Sequence, residues 1–378
     1  MRILYLSLSY LPSRRASSVQ VMKMSAALAG LGHDVLLVGK AGDEPGEGGL
    51  HQFYGVPPGF EVERLPRPAW RGGGALYASR VAAILLRHRR WADLVYCRDL
   101  IGAAAAAELA LPVVYEAHSI PAGRWRQHLL RRILAAPSTV GLVAISQALA
   151  NDLTAAKLVP RGRPVVVAHD AADIPDVDAG ARTDSDPGRP RIGYVGSLYP
   201  GRGVDVVIEL ARRFPDLPFE VIGGTAPDLA RWRSQHLPPN LDMVGFVPPG
   251  KLPGRYRRLD VLLMPYPREG IRGPTASGDT SRWCSPMKMF EYMAAGAAVV
   301  SSDLPVLQEV LRHEHNALIV AASDLEAWAK AIERLRADPS LRGRLGGQAL
   351  ADLRANHTWP ARAAMILQEM GRQAARPS

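Results

Sequence analysis

The sequence predicts an α/β protein of two domains, each a parallel sheet wound with helices. Three observations carry that prediction. Short β-branched and aliphatic runs alternate with helically spaced apolar residues from end to end, the pattern of repeated βαβ units. Apolar periodicity lapses over 174–190 (IPDVDAGARTDSDPGRP), where Pro, Gly, Asp and Ser take over. The chain has 378 residues and 47% apolar side chains, enough for two cores at roughly 150 residues per domain. The expected division is a first domain over 1–173, a linker over 174–190 and a second domain over 191–358. The amphipathic C-terminal helix over 359–378 is expected to return to the first domain.

The first domain opens with a strand from Arg2 to Ser9 and a helix over Ser17–Leu31, with Val21, Met24, Leu28 and Leu31 on one face and Gly32 as its stop. A strand over Asp34–Val38 completes the βαβ unit. The turn between Ser9 and Ser18 has no glycine, so the G-x-G-x-x-G fingerprint of nicotinamide enzymes is missing where it would stand. Strands at 94–97 and 112–118 flank an alanine-rich helix, Ile101–Leu109. A strand at 141–146, a helix at 147–157 and a strand at 164–169 follow. His118 falls at the carboxyl end of its strand, the edge where open α/β sheets bind ligands. A histidine there is either a structural hydrogen-bonder or a functional group. His169 and Asp170 end the next strand in the same way.

Net charge is +10, and the arginines are unevenly spread. Arg64, Arg67, Arg71, Arg80, Arg87, Arg89 and Arg90 form an acid-free run, and Arg124, Arg126, Arg131 and Arg132 form a second cluster. Trp70, Trp91, Trp125, Leu129 and Leu130 lie among them. Such segments suit an anionic membrane surface, and also suit solvated helix faces. No nucleic-acid recognition motif accompanies them, so no nucleic-acid partner is expected. Cys97 and Cys284 offer neither a metal set nor a disulfide framework, which fits a reducing compartment. No run of about 18 apolar residues exists, and ILYLSLSYL followed by SRRASS does not read as a signal peptide. The expected location is cytoplasmic, or peripheral on the inner face of the cell membrane.

The linker's Asp176-x-Asp178 and Asp184-x-Asp186 pairs are of the type that can hold a divalent cation at a strand end; in a linker they read as solvated acids. The second domain begins with a strand over Arg191–Ser197 and a turn, GSLYPGRG. A helix follows through Val204, Val207, Ile208 and Ala211. Arg202 stands at the helix entrance, where a guanidinium can fork onto phosphate oxygens or simply face solvent. Strands at 219–223, 241–247 and 261–266 lead into a glycine-rich loop, 267–284, expected to close over a bound ligand. Ser285 is placed as N-cap and Pro286 as the first residue of a helix that Gly296 ends. Lys288 in its first turn and the helix dipole suit a phosphate, and Glu291, three residues on, suits a pair of ribose hydroxyls: together, a nucleoside diphosphate. The other reading is an i,i+3 surface ion pair. A strand ending near Ser301, a helix at Pro305–Leu311, a strand at Ala317–Val320, helices from Asp324 and the amphipathic segment Trp359–Gln373 complete the chain.

SPMKMFEYMAAG (285–296) resembles the donor-site motif of the retaining glycosyltransferases of family 4. Nearly the whole chain shares in the resemblance, through ASSVQVMKMSAALAGLGHDVLLV, YEAHS, AISQALANDL, VVAHDAADI and HTWPARA. It implies the GT-B fold, two Rossmann-like domains facing across a cleft, and sugar transfer with retention from a UDP- or GDP-type sugar nucleotide to an acceptor hydroxyl. No metal or other cofactor is implied. By this resemblance the donor nucleotide and phosphates would be held by Gly196, Ser197, Arg202, Phe246, Val247, Ser285, Pro286, Met287, Lys288 and Glu291. His118, Arg202 and Lys288 would be catalytic, and Ser17, Ser18 and His118 would face the acceptor. Arg202 stands where the family usually has a lysine. Two positions depart from the pattern: Trp283 replaces the first glutamate of E-x7-E, and Ser197 replaces an arginine, as in a subgroup with an S-P-x-K motif. The acceptor is expected to be lipid-linked or otherwise membrane-borne. Competing readings are a GT-B epimerase or phosphorylase, and a non-catalytic sugar-nucleotide-binding protein at a membrane.

Overall fold

The computed structural model describes all residues except 43, 45–47, 67–72, 175–185, 272–278 and 375–378. Arg67, Trp70, Arg71, Asp176, Asp178, Asp184 and the middle of the 267–284 loop therefore lie outside the described residues. Two compact units emerge, Met1–Asp170 with Trp359–Ser378, and Ala171–Thr358. The first break falls at 170/171, earlier than the expected 173. The cause is local: the Ala172 N–H donates to the His357 carbonyl at 3.1 Å, and Ala172 bridges Thr358, which ties this stretch to the second unit.

Among its described residues the first unit holds seven strands: β1 (Arg2–Leu11), β2 (Asp34–Ala41), β3 (Glu61–Leu65), β4 (Leu94–Cys97), β5 (Val113–Ala117), β6 (Thr139–Ala144) and β7 (Val165–Val167). They pair in parallel in the order β3-β2-β1-β4-β5-β6-β7. The second unit holds β8 (Ile192–Val195), β9 (Phe219–Ile222), β10 (Leu241–Gly245), β11 (Val261–Met264), β12 (Ala298–Ser302) and β13 (Leu318–Val320). Their order is β10-β9-β8-β11-β12-β13, again parallel. Every residue of β4, β5, β8, β11 and β12 is buried, as expected where helices cover both faces. In each sheet the chain winds outward from a central strand and then returns to that strand's other side. This leaves a switch point at the carboxyl ends of β1/β4 and of β8/β11.

Edge strand β3 escapes a periodicity reading because EVERL carries three charges in five residues. The two basic segments are helices, Gly73–His88 and Arg124–Ala135. Tyr77, Val81, Ile84 and Leu85 bury one face of the first, and Leu130, Ile133 and Leu134 one face of the second. The helix expected over Pro305–Leu311 is instead a pair of linked turns. Leu307 and Gln308 both donate to the Leu304 carbonyl, and Val310 and Leu311 both donate to that of Leu307, so no continuous ladder forms. No helix among the described residues is long and apolar enough to cross a membrane.

Candidate functional site

In the second unit the candidate residues collect where β8, β10 and β11 end. Tyr194 of β8 is fully buried and its hydroxyl donates to the Ser197 carbonyl at 2.8 Å, which sets the turn that follows. Gly196 has φ 151°, and a Cβ there would lie 3.2 Å from the Lys288 ammonium. Gly203, at φ 74°, caps helix Val204–Arg213; a Cβ there would fall 1.8 Å from the Pro265 carbonyl oxygen. These two positions let the β8 turn press against the β11 end and bring Arg202 inward.

Arg202 is half-buried among phenols. Its guanidinium donates to the Tyr199 hydroxyl at 3.2 Å and the Tyr266 hydroxyl at 3.4 Å, and stacks 4.8 Å and 5.6 Å from those ring centres. Lys288 shares the Tyr266 ring: its Nζ lies 4.6 Å from that centre and 4.0 Å from the centre of Tyr194. The Lys288 Nζ is buried and has no hydrogen-bond partner among the described residues. Burial, and then the neighbouring Arg202 charge, push its pKa well below the usual lysine value, while Glu291 pulls it back. A buried cation without a hydrogen-bonded anion is costly, so the geometry is suited to receive one.

Helix Met287–Ala295 delivers Lys288, one residue later than expected. Pro286 is the N-cap, at φ −76° and ψ 120°, and no side chain caps the helix. Ser285 therefore precedes the cap rather than forming it, because Pro286 still has an extended ψ. Gly296 ends the helix in the left-handed region, as its position suggested. The Glu291 carboxylate accepts from the Tyr256 hydroxyl at 2.8 Å. Phe246 and Val247 lie half-buried just past β10 on the same sheet edge, while Ser197 is exposed and Trp283 half-buried. Burial raises the Cys284 thiol to about 12, which leaves it an unreactive neighbour.

Sequence reasoning missed Tyr292. One turn beyond Lys288, its hydroxyl accepts from the Val195 N–H at 2.8 Å and lies 3.1 Å from the Val195 carbonyl and 3.4 Å from that of Leu263. The β8–β11 ladder pairs only Val261 with Ile192 and Leu262 with Gly193, so the phenol fills the gap where the strands diverge. It thereby anchors the Lys288 helix to the switch point. An aromatic residue at i+4 from the key lysine was the available signal.

In the first unit His118 follows β5, and its Nε2 lies 2.7 Å from the carboxylate of Glu116. Glu116 is fully buried. It also takes donors from Gln20 at 2.7 Å, from Tyr96 and from Arg362 at 3.1 Å. Arg362, with Arg98 and His118, holds Glu116 well below the usual carboxylate range against its burial. Burial and the Arg98 charge lower His118 to about 4 despite Glu116, so the ring is neutral at pH 7. Ser17 is tied through its carbonyl to Ser9 Oγ at 3.3 Å and Arg98 at 3.1 Å, and Ser18 is buried. Arg362 was also missed. Its signal was an arginine inside the apolar stripe Trp359, Ala363, Ile366, Met370 of helix Trp359–Ala374. Among the described residues no group of three His, Cys, Asp or Glu side chains is placed to hold a metal ion.

Residues 17–170 match the family described as Glycosyltransferase Family 4, and residues 189–338 match Glycosyl transferases group 1. A GDP-mannose-dependent alpha-mannosyltransferase of Mycolicibacterium smegmatis is 26% identical over 318 residues, 82% of this chain and 73% of that protein. A phosphatidyl-myo-inositol mannosyltransferase of the same organism is 28% identical over 197 residues, 49% of this chain and 48% of that protein. The chain spans about half or less of the length of the first curated relatives it matches. Among solved structures, sucrose-phosphate synthase from Thermosynechococcus elongatus superposes with TM-score 0.71 at 19% identity, covering 99% of this chain and 98% of that one. Anabaena HepE in complex with UDP and glucose superposes with TM-score 0.69 at 17% identity, covering 98% and 99%. The fold is GT-B.

Proposed function

We propose that the protein is a family 4 glycosyltransferase, as its family matches over residues 17–170 and 189–338 support, and that it transfers a sugar, with retention, from a nucleoside-diphosphate sugar to an acceptor hydroxyl. The observation that carries this reading is the buried Lys288 ammonium, which has no hydrogen-bond partner among the described residues, beside Arg202 at the switch point of the second sheet. A diphosphate is the anion that two such cations and a helix N-terminus would receive. Glu291, held by Tyr256, takes the ribose hydroxyls, and the segment at Phe246 and Val247 lies against the base. A GDP-dependent relative and a UDP-bound neighbour favour guanine or uracil as that base.

As the glycosidic bond breaks, negative charge gathers on the β-phosphate, and Arg202, Lys288 and the helix N-terminus stabilise it without reorganising. Neither residue needs to donate a proton. The departing phosphate takes the proton of the attacking hydroxyl, while neutral His118 accepts a hydrogen bond and orients a hydroxyl of sugar or acceptor. With Trp283 in place of a glutamate, the sugar hydroxyls are read by backbone N–H groups around Ser285–Lys288. The S-P-x-K sequence is part of this same proposal.

Calorimetric titration with UDP, GDP, ADP, CDP and dTDP tests the reading. One diphosphate should bind selectively and lose affinity in Lys288→Ala and Glu291→Ala; no binding by any of the five overturns it. On the acceptor side, helix Arg124–Ala135 exposes Arg124, Arg126 and Trp125, the last at 63%. A cationic face with an exposed tryptophan favours an acceptor borne on an anionic membrane. Flotation with anionic vesicles should carry the protein upward, and failure to float removes that part of the proposal.

A further inference from the structure

Glu116 is saturated. An ionised carboxylate offers about four acceptor positions, and Gln20 and His118 take one oxygen while Tyr96 and Arg362 take the other. Such a group can only accept, so the His118 nitrogen facing it must carry the proton. That fixes the tautomer and leaves Nδ1 as the ring's bare nitrogen. The partner that allows Glu116 to remain a carboxylate at zero exposure is Arg362, itself 2% exposed. Its guanidinium is fastened on every side: Nε donates to the His169 carbonyl at 2.8 Å, Nη2 to that of Ala168 at 3.2 Å, and Nη1 to Met24 Sδ at 3.4 Å. Tyr5, Arg98 and Asp170 complete the charged and titratable surroundings, Arg98 and Tyr5 both donating to the Gln20 side-chain Oε1.

We infer that Arg362, in the C-terminal helix, is a positioning residue for His118: through Glu116 it turns the imidazole so that Nε2–H points into the network and Nδ1 is the atom offered to a substrate hydroxyl. The inference rests on the proposed role of His118 and adds to it the device that sets the ring's chemistry. Without Arg362 a buried carboxylate would face three donors and lose the cation that contacts it directly, with Arg98 left as a nearby positive charge. It would then take up a proton and donate to Nε2, or pass a proton to the ring. Either outcome ends the neutral Nε2–H state. The C-terminal helix is thus part of the apparatus that prepares His118, and not only a clasp on the first unit's sheet.

The test is the tautomer itself, read from long-range ¹H–¹⁵N spectra of protein labelled at histidine, with the His118 signals identified by their loss in His118→Gln. Wild type at pH 7.5 should show His118 as the neutral Nε2–H form alone. Arg362→Met, close in volume but uncharged, should show the Nδ1–H form or the imidazolium, and a titration midpoint moved by one unit or more. Transfer should fall tenfold or more in kcat with unchanged affinity for the nucleoside diphosphate. Arg362→Lys should restore the Nε2–H form. Glu116→Gln, whose amide can donate as well as accept, gives a second route to the same shift should Arg362→Met fail to fold. An unchanged His118 spectrum in Arg362→Met, or in Glu116→Gln where that variant stands in, overturns the inference. Absence of any sugar transfer by wild type would overturn the transferase reading instead, and leave the tautomer result to be judged by itself.

Discussion

Lys288→Met should make the ligand-free protein more stable while removing its ligand response. The ammonium is buried, has no hydrogen-bond partner among the described residues and lies near a second cation. Desolvating an unpaired ion costs several kcal/mol. Contacts with the Tyr194 and Tyr266 rings at 4.0 Å and 4.6 Å return about 0.5–2 kcal/mol each. A methionine keeps the apolar stem and discards the charge, so the net gain should be about 1–3 kcal/mol. For a unit of this size that raises Tm by about 2–4 °C per kcal/mol. The pH dependence follows from the same residue. Its folded-state pKa is depressed, so between that value and the ordinary lysine value the unfolded chain holds a proton the folded chain lacks. Wild-type stability relative to the variant therefore rises with pH across this window, and the variant's advantage narrows as pH climbs toward the ordinary lysine value. The assay is thermal and urea unfolding with and without the diphosphate identified by calorimetry. At about 100 times Kd the ligand should add about 2.7 kcal/mol to wild type and little to the variant. A variant that is no more stable than wild type without ligand, or that keeps the full ligand shift, refutes the view of Lys288 as a cation held ready for an anion.

Gly203→Ala places a methyl carbon 1.8 Å from the Pro265 carbonyl oxygen at a φ of 74°; it should lower the unfolding free energy in urea by more than about 1 kcal/mol and weaken diphosphate binding by displacing Arg202. Tyr292→Phe strips the buried Val195 N–H of its acceptor, which should cost about 1–3 kcal/mol in urea unfolding and loosen the helix bearing Lys288. His118 titrates near 4 when folded and at its ordinary value when unfolded, so from about pH 6.5 down to 4 the unfolded chain gains a proton the folded one does not. Wild type should lose up to about 3 kcal/mol over that range, and His118→Gln correspondingly less, by urea unfolding at pH 7 and pH 4.5.

The sequence by itself determined what depends on neighbours in the chain. Period-2 and period-3.6 apolar patterns define the central strands and most helices, because burial on both faces of a parallel sheet leaves near-continuous aliphatic runs such as VLLM in β11 and AVVSS in β12. The lapse at 174–190 falls inside the second unit, a few residues after the break at 170/171. Spacing alone placed Lys288 and Glu291 on one helix, and Arg202 at the mouth of another. Where local rules compete, the reading slipped: Pro286 took the cap from Ser285, the charged edge strand β3 hid its alternation, and linked turns replaced the helix expected at Pro305–Leu311.

Tertiary structure alone decided which of these pieces meet. Strand order is not written in periodicity, so nothing local says that Tyr194 at the end of β8, Tyr199 in the turn beyond and Tyr266 after β11 surround Arg202 and Lys288. Nor does it say that Tyr292 closes the gap between β8 and β11. The same holds for Arg362. Its place in an apolar stripe is visible in the sequence, but its partner, a carboxylate on β5, is supplied only when the last helix packs against the first sheet. A helix face records that a side chain will be buried, since that depends on the residues one turn away. What a buried charge will find opposite it depends on which distant strand the fold brings there.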